Sequence, residues 1–272
     1  MRRHLRVTGA VARRTPFTSQ VMLGWWTADR GVDQSVTGSG VSSWADQSGQ
    51  GRTLTQGTGG KQPTYQRQGR ATVKPALRGR GTPNADVIGT TATGMWHGRT
   101  AASWLLTFDA AQTVTNDFII SAPVTAAGGQ GVNAFLTGGN TLVDTRTQTN
   151  TTSGTTSTLS VLEYGAGPVQ VEWSWDASRA SQVIVTATGQ GFNYGSIGGA
   201  TLRADEGQFA LLDFSLAGFT RAVAADIHEC FVLTRAMSIG ERRRWYRRAA
   251  RKWQLKQPPD ARWADGTLQT ML

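Results

Sequence analysis

Between Val169 and Asp176 every second residue is large and apolar: Val169, Val171, Trp173 and Trp175 alternate with Gln170, Glu172, Ser174 and Asp176. Successive strand side chains point to opposite faces, so this octet predicts a β-strand with one buried and one wet face. The same period recurs in 102–109, where Trp104, Leu106 and Phe108 share one parity and Ser103, Thr107 and Asp109 the other. After the Asp176-Ala177-Ser178-Arg179 turn, residues 182–188 complete a predicted hairpin. VMLGWWTAD, from Val21, reads as the first strand entering a core, and further strands are expected at 117–122, 133–137, 141–145, 159–164, 208–216 and 227–234. The Thr-rich stretch 145–160 reads as an exposed loop or edge strand. Residues 27–100 carry turn signals at Gly38-Ser39-Gly40, Ser48-Gly49, Gly59-Gly60 and Thr82-Pro83-Asn84, which predicts short strands between long loops.

Only one segment has helical periodicity. Ser238 and Glu241 have the spacing of a capping box, and Trp245, Ala249 and Trp253 then recur every four residues beside Tyr246 and Ala250. Pro258-Pro259 should stop the helix. The expected architecture is an all-β, two-sheet antiparallel sandwich over 21–237. A basic arm (1–20) precedes it; an Arg-rich helix packed on the sandwich (238–256) and an extended tail (257–272) follow. Composition agrees: 33 Gly with only 17% charged residues suits a sheet protein rich in turns, and ten Trp need a core to bury them. No run approaches 18 apolar residues, so no membrane-spanning helix is expected.

The net charge of +10 sits at the ends. Residues 1–14 hold five Arg and no acid, and 238–252 hold six Arg, one Lys and one Glu, which leaves the body near neutral. Terminal docking elements explain that distribution better than a nucleic-acid-binding body would. Like charges at i,i+4 destabilise an isolated helix, so the basic helix needs a partner: body carboxylates, an acidic neighbour or nucleic acid. Arg prefers planar carboxylates, and an acidic protein surface is the expected partner. The predicted docking residues are Arg2, Arg3, Arg6, Arg13, Arg14, Arg243, Arg244, Arg247, Arg248, Arg251 and Trp263. Arg13 and Arg14 interrupt any apolar leader, so synthesis in a host cytoplasm without a signal peptide is expected.

One stretch sets Trp26, Asp29, Trp44, Asp46, Ser48, Gly49, Gly51, Gln62, Pro63 and Tyr65 along the first third of the chain. Another sets Ile227, Glu229, Arg235, Met237, Ser238, Glu241, Arg242, Lys252, Trp253 and Leu255 near its end. Together they resemble the laminin-G-like, concanavalin-A-like lectin-glucanase jelly-roll domains of bacterial and phage proteins. The resemblance implies a jelly-roll β-sandwich that binds glycans, binds proteins or serves as a structural module. Residues 76–94 lack the Phe-containing stretch usual in that family, so no ligand site is carried over from it.

Chemistry-bearing constellations are sparse, and no catalytic set is expected. Glu172 and Asp176 share strand parity but would lie about 13 Å apart. That exceeds the roughly 5–9.5 Å of glycosidase carboxylates. Cys230, the only cysteine, excludes an intrachain disulfide, and with His228 on the same predicted strand face it makes a weak nucleophile pair. His4, His97 and His228 are isolated, and Asp29, Asp33 and Asp46 lack calcium-loop spacing, so neither metal nor cofactor is expected. Asp46 reads instead as the cap of the Ser48-Gly49 turn. Gly57 to Gln62 fails the phosphate-loop pattern, because no Ser or Thr follows Lys61. For sugars, the candidate platform is Trp96 with His97 in GMWHG, then Tyr194. The expected function is a non-enzymatic structural protein of a phage particle that docks on other virion proteins in an oligomeric assembly. The alternative is an adhesin or lectin module for host-surface glycans. A glucanase-like enzyme ranks last.

Overall fold

The computed structural model describes residues 17–33, 36–81, 84, 86–110, 117–122, 132–137, 142–147, 155–160, 168–179, 181–186, 192–196, 201–202, 208–212 and 222–255. The turn-rich first third supplies β1 (Met22–Thr27), β2 (Ser43–Trp44), β3 (Leu54–Thr55), β4 (Thr64–Gln66), β5 (Ala76–Arg78) and β6 (Ile88–Thr93). Then come β7 (Ala101–Ala110), β8 (Asp117–Ala122), β9 (Val132–Thr137), β10 (Leu142–Thr147) and β11 (Thr155–Ser160). The last strands are β12 (Val169–Asp176), β13 (Ser181–Thr186), β14 (Phe192–Ser196), β15 (Gln208–Leu211) and β16 (Ala225–Leu233), before helix α1 (Ile239–Trp253).

The strands form two antiparallel sheets. One runs β14-β13-β12-β7-β16-β5-β4, with β1 also paired to β16; the other runs β11-β10-β9-β8-β15-β6-β3-β2. The fold is therefore the expected two-sheet β-sandwich with one C-terminal helix. β10 and β11 pair in register within 145–160, with β11 at the sheet edge, so the edge-strand reading holds there. Between the sheets lies a core built from the apolar parity of each strand. Trp104 and Trp173, cross-strand partners on β7 and β12, stack with centroids 6.3 Å apart, and Trp26 stacks on Phe209 of the second sheet at 5.3 Å.

The opposite parity departs from expectation. Gln170, Glu172 and Ser174 on β12, and Ser103, Thr107 and Asp109 on β7, are buried rather than wet. A second apolar layer explains much of this. Trp25, Leu105, Phe231 and Leu233 face outward from the sheet and pack against Trp245, Tyr246, Ala249 and Trp253 of α1. The central strands are thus covered on both sides. Helix α1 begins as its sequence predicts: the Glu241 N–H donates to Ser238 Oγ at 3.3 Å, and the Ser238 N–H donates to Glu241 Oε2 at 3.0 Å. It ends at Gln254, whose φ of 58° turns the chain left-handed.

A bulge between Ile227 and Glu229 corrects the expected His228–Cys230 pairing. The extra residue resets parity. Cys230 then points into the inter-sheet core, while the His228 ring lies 5.2 Å from Trp253 on the helix side. Burial also pushes the Cys230 thiol well up, which suits a packed apolar residue and not a nucleophile.

Candidate functional site

Helix α1 commits three of its seven basic residues, Arg242, Arg248 and Lys252, to carboxylates of the sandwich. Arg242 lies over β12 with its Nε 2.8 Å from both Glu172 carboxylate oxygens. Arg248 clasps Glu229 of β16 through Nη1 at 2.6 Å and Nη2 at 2.8 Å. Lys252 reaches Asp29 at 3.0 Å and Glu229 at 3.1 Å. The indole N–H groups of Trp25 and Trp253 also donate to Glu229, at 3.0 and 2.9 Å. Burial alone would raise the Glu229 pKa, but Arg248, Lys252 and Trp253 outweigh it and hold the carboxyl at about 2. Of the partners that sequence leaves open for the helix, body carboxylates take these three residues. Arg248, expected to meet an external partner, is therefore corrected: its partner is Glu229 of the same chain. Arg244, Arg247 and Arg251 stay on the exposed side, spaced i, i+3, i+7, with no carboxylate partner among the described residues. Arg243 belongs to α1, but its side chain lies outside the described residues, as do Arg2, Arg3, Arg6, Arg13, Arg14 and Trp263.

The expected sugar platform is not presented at the surface. Trp96 is fully buried, wedged edge-on against Trp173 at 6.3 Å and Phe209 at 5.6 Å, so it has no face to offer a ring. His97, next to it in the chain, is exposed. Tyr194 sits in β14 opposite Val183, and its side chain lies outside the described residues.

A different concavity opens on the second sheet. Thr55 ends β3, and Gln56, Gly57 and Thr58 continue into the 3-10 turn Gly59–Lys61. Together with Val87, Gly89, Thr90 and Thr91 at β6, and Gln208 and Ala210 of β15, they line a half-open groove of about 290 Å³. Its floor is shallow in side chains by necessity. A Cβ on Gly89 would come within 2.8 Å of the Phe209 carbonyl oxygen, so β6 and β15 approach this closely only with glycine there. Its walls are braced: Gln56 Nε2 donates to the Val87 carbonyl at 3.2 Å while its Oε1 accepts from the Thr58 N–H at 2.9 Å. Gln208 Nε2 donates to the Thr91 carbonyl at 3.2 Å. The described lining thus combines hydroxyls, amides and one ammonium with the methyl groups of Val87 and Ala210, and holds no aromatic. The nearest sequence signal is Gly57 to Gln62, which fails as a phosphate loop but contributes Gly57, Thr58 and Lys61 to one wall of the groove.

No family model matches the sequence, nor does any curated protein. The sandwich is shared with toxin binding domains. The binding domain of paraclostridial mosquitocidal protein 1 superposes with a TM-score of 0.59 at 9% identity, over 84% of this chain and 52% of that one. A botulinum neurotoxin serotype D ligand-binding domain in complex with N-acetylneuraminic acid gives 0.61 at 8% identity, over 89% and 55%. An arabinofuranosidase complexed with arabinofuranosyl-xylobiose gives 0.55 at 13%, over 79% and 51%. This chain spans about half the length of each, and at these identities the likeness establishes the fold alone.

The carboxylates weighed for other chemistry are occupied structurally. Glu172 is sealed beneath α1 by Arg242, and Asp176 caps its own turn, accepting from the Ser178 N–H at 2.9 Å and hydroxyl at 2.7 Å. The pair does not converge on an open cleft. Asp46 accepts from the N–H groups of Trp25, Ser48 and Arg52 at 3.0, 2.8 and 3.0 Å, and from the Ser48 hydroxyl at 2.7 Å. It holds the Trp44-to-Arg52 loop against β1, extending the turn-capping role read from sequence. No group of three or more metal-ligating side chains converges among the described residues.

Proposed function

We propose that this chain is a glycan-binding β-sandwich module that engages cell-surface saccharides through the β3–β6–β15 groove. The observation that carries this reading is the groove itself, a fixed depression whose walls present threonine hydroxyls and braced glutamine amides, the hydrogen-bonding complement of a polyol. The fold supports it, since one neighbour of this architecture is seen with N-acetylneuraminic acid. At about 290 Å³ the groove sits at the small end of ligand sites, which run from about 300 to 1,000 Å³. Each copy therefore holds a short stretch of sugar weakly, and useful strength comes from several copies acting together. Thr91 is exposed, so Thr91→Tyr fills the groove without disturbing the core. On a glycan array, followed by NMR titration of the hits, the wild type binds a subset of glycans. Thr91→Tyr weakens them at least about ten-fold with an unchanged melting temperature. An array without hits overturns the proposal.

A second reading is favoured by one observation, the exposed Arg244, Arg247 and Arg251 stripe left after α1 has docked. In that reading the sandwich is a structural subunit of a phage particle, and the stripe meets an acidic surface of another virion protein. The triple Arg→Gln variant then folds normally but is lost from assembled particles, as judged by co-sedimentation. Full incorporation of the variant removes this reading.

A further inference from the structure

The groove is electrostatically one-sided. Lys61 is the only titratable residue among its described lining. Its ammonium is exposed and forms no ion pair among the described residues. Asp86, linked to the Lys61 turn through Arg80, is fully buried and already held by Arg80, whose backbone N–H donates to Oδ2 at 2.7 Å and whose Nε donates to the same oxygen at 2.9 Å. Arg80 Nη2 also donates to the Gly60 carbonyl at 2.8 Å, so this guanidinium braces the turn that carries Lys61. The Val87 N–H donates to the Lys61 carbonyl at 3.0 Å, tying the same turn to the start of β6. Among the described residues Lys61 is thus a cation without an ion-pair partner, on a clamped piece of backbone at the wall of a polar depression.

The balance of forces then selects a ligand class. Neutral hydroxyls exchange hydrogen bonds with water for hydrogen bonds with Thr and Gln at little net gain. The described lining offers no aromatic face on which a neutral ring could stack. A carboxylate on the sugar adds a charge-assisted hydrogen bond, roughly twice as strong as a neutral one. We infer that the groove selects sugars bearing a carboxylate, and that the Lys61 ammonium is the group that meets it. This rests on the glycan-binding reading above and deepens it.

The test compares oligosaccharides ending in glucuronate or N-acetylneuraminate with the same chains ending in glucose or galactose, by calorimetric or NMR titration of the full chain. The acidic sugars bind at least about ten-fold more tightly, and the preference shrinks as salt rises from about 50 to 300 mM. Lys61→Gln removes the difference between acidic and neutral sugars, whereas Lys61→Arg keeps the preference. Thr91→Tyr abolishes binding of both classes. Equal binding of acidic and neutral sugars, untouched by Lys61→Gln, overturns this inference and leaves the glycan-binding reading standing. So does an acid preference that survives Lys61→Gln. Absence of binding by every sugar at millimolar concentration overturns both.

Discussion

Glu229→Gln lowers the unfolding free energy at neutral pH by about 3 kcal/mol, the largest loss expected from an isosteric change in this protein. Glu229 is 1% exposed and is the common acceptor for Arg248, Lys252 and the two indoles of Trp25 and Trp253. Glutamine keeps the shape but removes the charge, and it leaves two cations beneath the helix facing an amide. Displacement of a carboxyl from 4.5 to about 2 corresponds to about 3 kcal/mol of preference for the charged form in the folded state. Because the folded-state value is depressed, this stabilisation is complete above about pH 4.5 and drains away as pH falls through 2. Glu241, which Arg235 and the Ser238 cap hold at about 2 against the penalty of burial, drains over the same window. The wild type therefore loses its grip on α1 between pH 4.5 and 2, and Glu229→Gln shows a flatter stability profile there. Urea denaturation at pH 7 and pH 3, followed by tryptophan fluorescence, reads both effects. A variant within about 0.5 kcal/mol of the wild type at pH 7 shows that Glu229 does not hold the helix.

What the sequence made legible was whatever one element encodes by itself. The period-2 run of β12 gave the apolar face that Trp173 and Trp175 bury, and the S-x-x-E spacing gave the start of α1. What it hid was set by a second layer. The polar parity of β12 looks the same whether water or a helix lies above it, so Gln170 and Glu172 read as wet. Asp109 on β7 read as wet for the same reason, yet burial, reinforced by Asp226 opposite, pushes its carboxyl up. A bulge inverts parity without a compositional mark, which is how His228 and Cys230 came to seem adjacent. The groove was hidden for a third reason. Its walls come from residues 55–61, 87–91 and 208–210, brought together only by the pairing of β6 with β3 and β15. Trp96 looked available because a glycine-flanked tryptophan carries no signal of the Phe209 and Trp173 rings that enclose it.

Arg242→Met destabilises the protein by about 3–5 kcal/mol, whereas Arg242→Met combined with Glu172→Gln recovers most of that loss. The Arg242 side chain is 3% exposed and that of Glu172 0%, so the pair is almost wholly removed from water. Attraction between such charges is roughly balanced by the penalty of desolvating them, which makes the intact pair worth little more than a packed apolar substitute. Removal of the guanidinium alone is different, because among the described residues it strands a carboxylate under α1 with the Ser174 hydroxyl, 2.6 Å away, as its remaining donor. Glutamine at 172 removes the stranded charge while its carbonyl still accepts from Ser174. The single variant should melt about 10 °C below the wild type and the double variant within a few degrees of it. The two single variants and the double form a cycle whose coupling energy isolates the pair from the packing of the Arg242 stem. Additive losses, with the double variant as unstable as the sum of the singles, mean that the two charges do not act as a pair. The docking of α1 then rests on Trp245, Ala249 and Trp253 and on the Glu229 network alone.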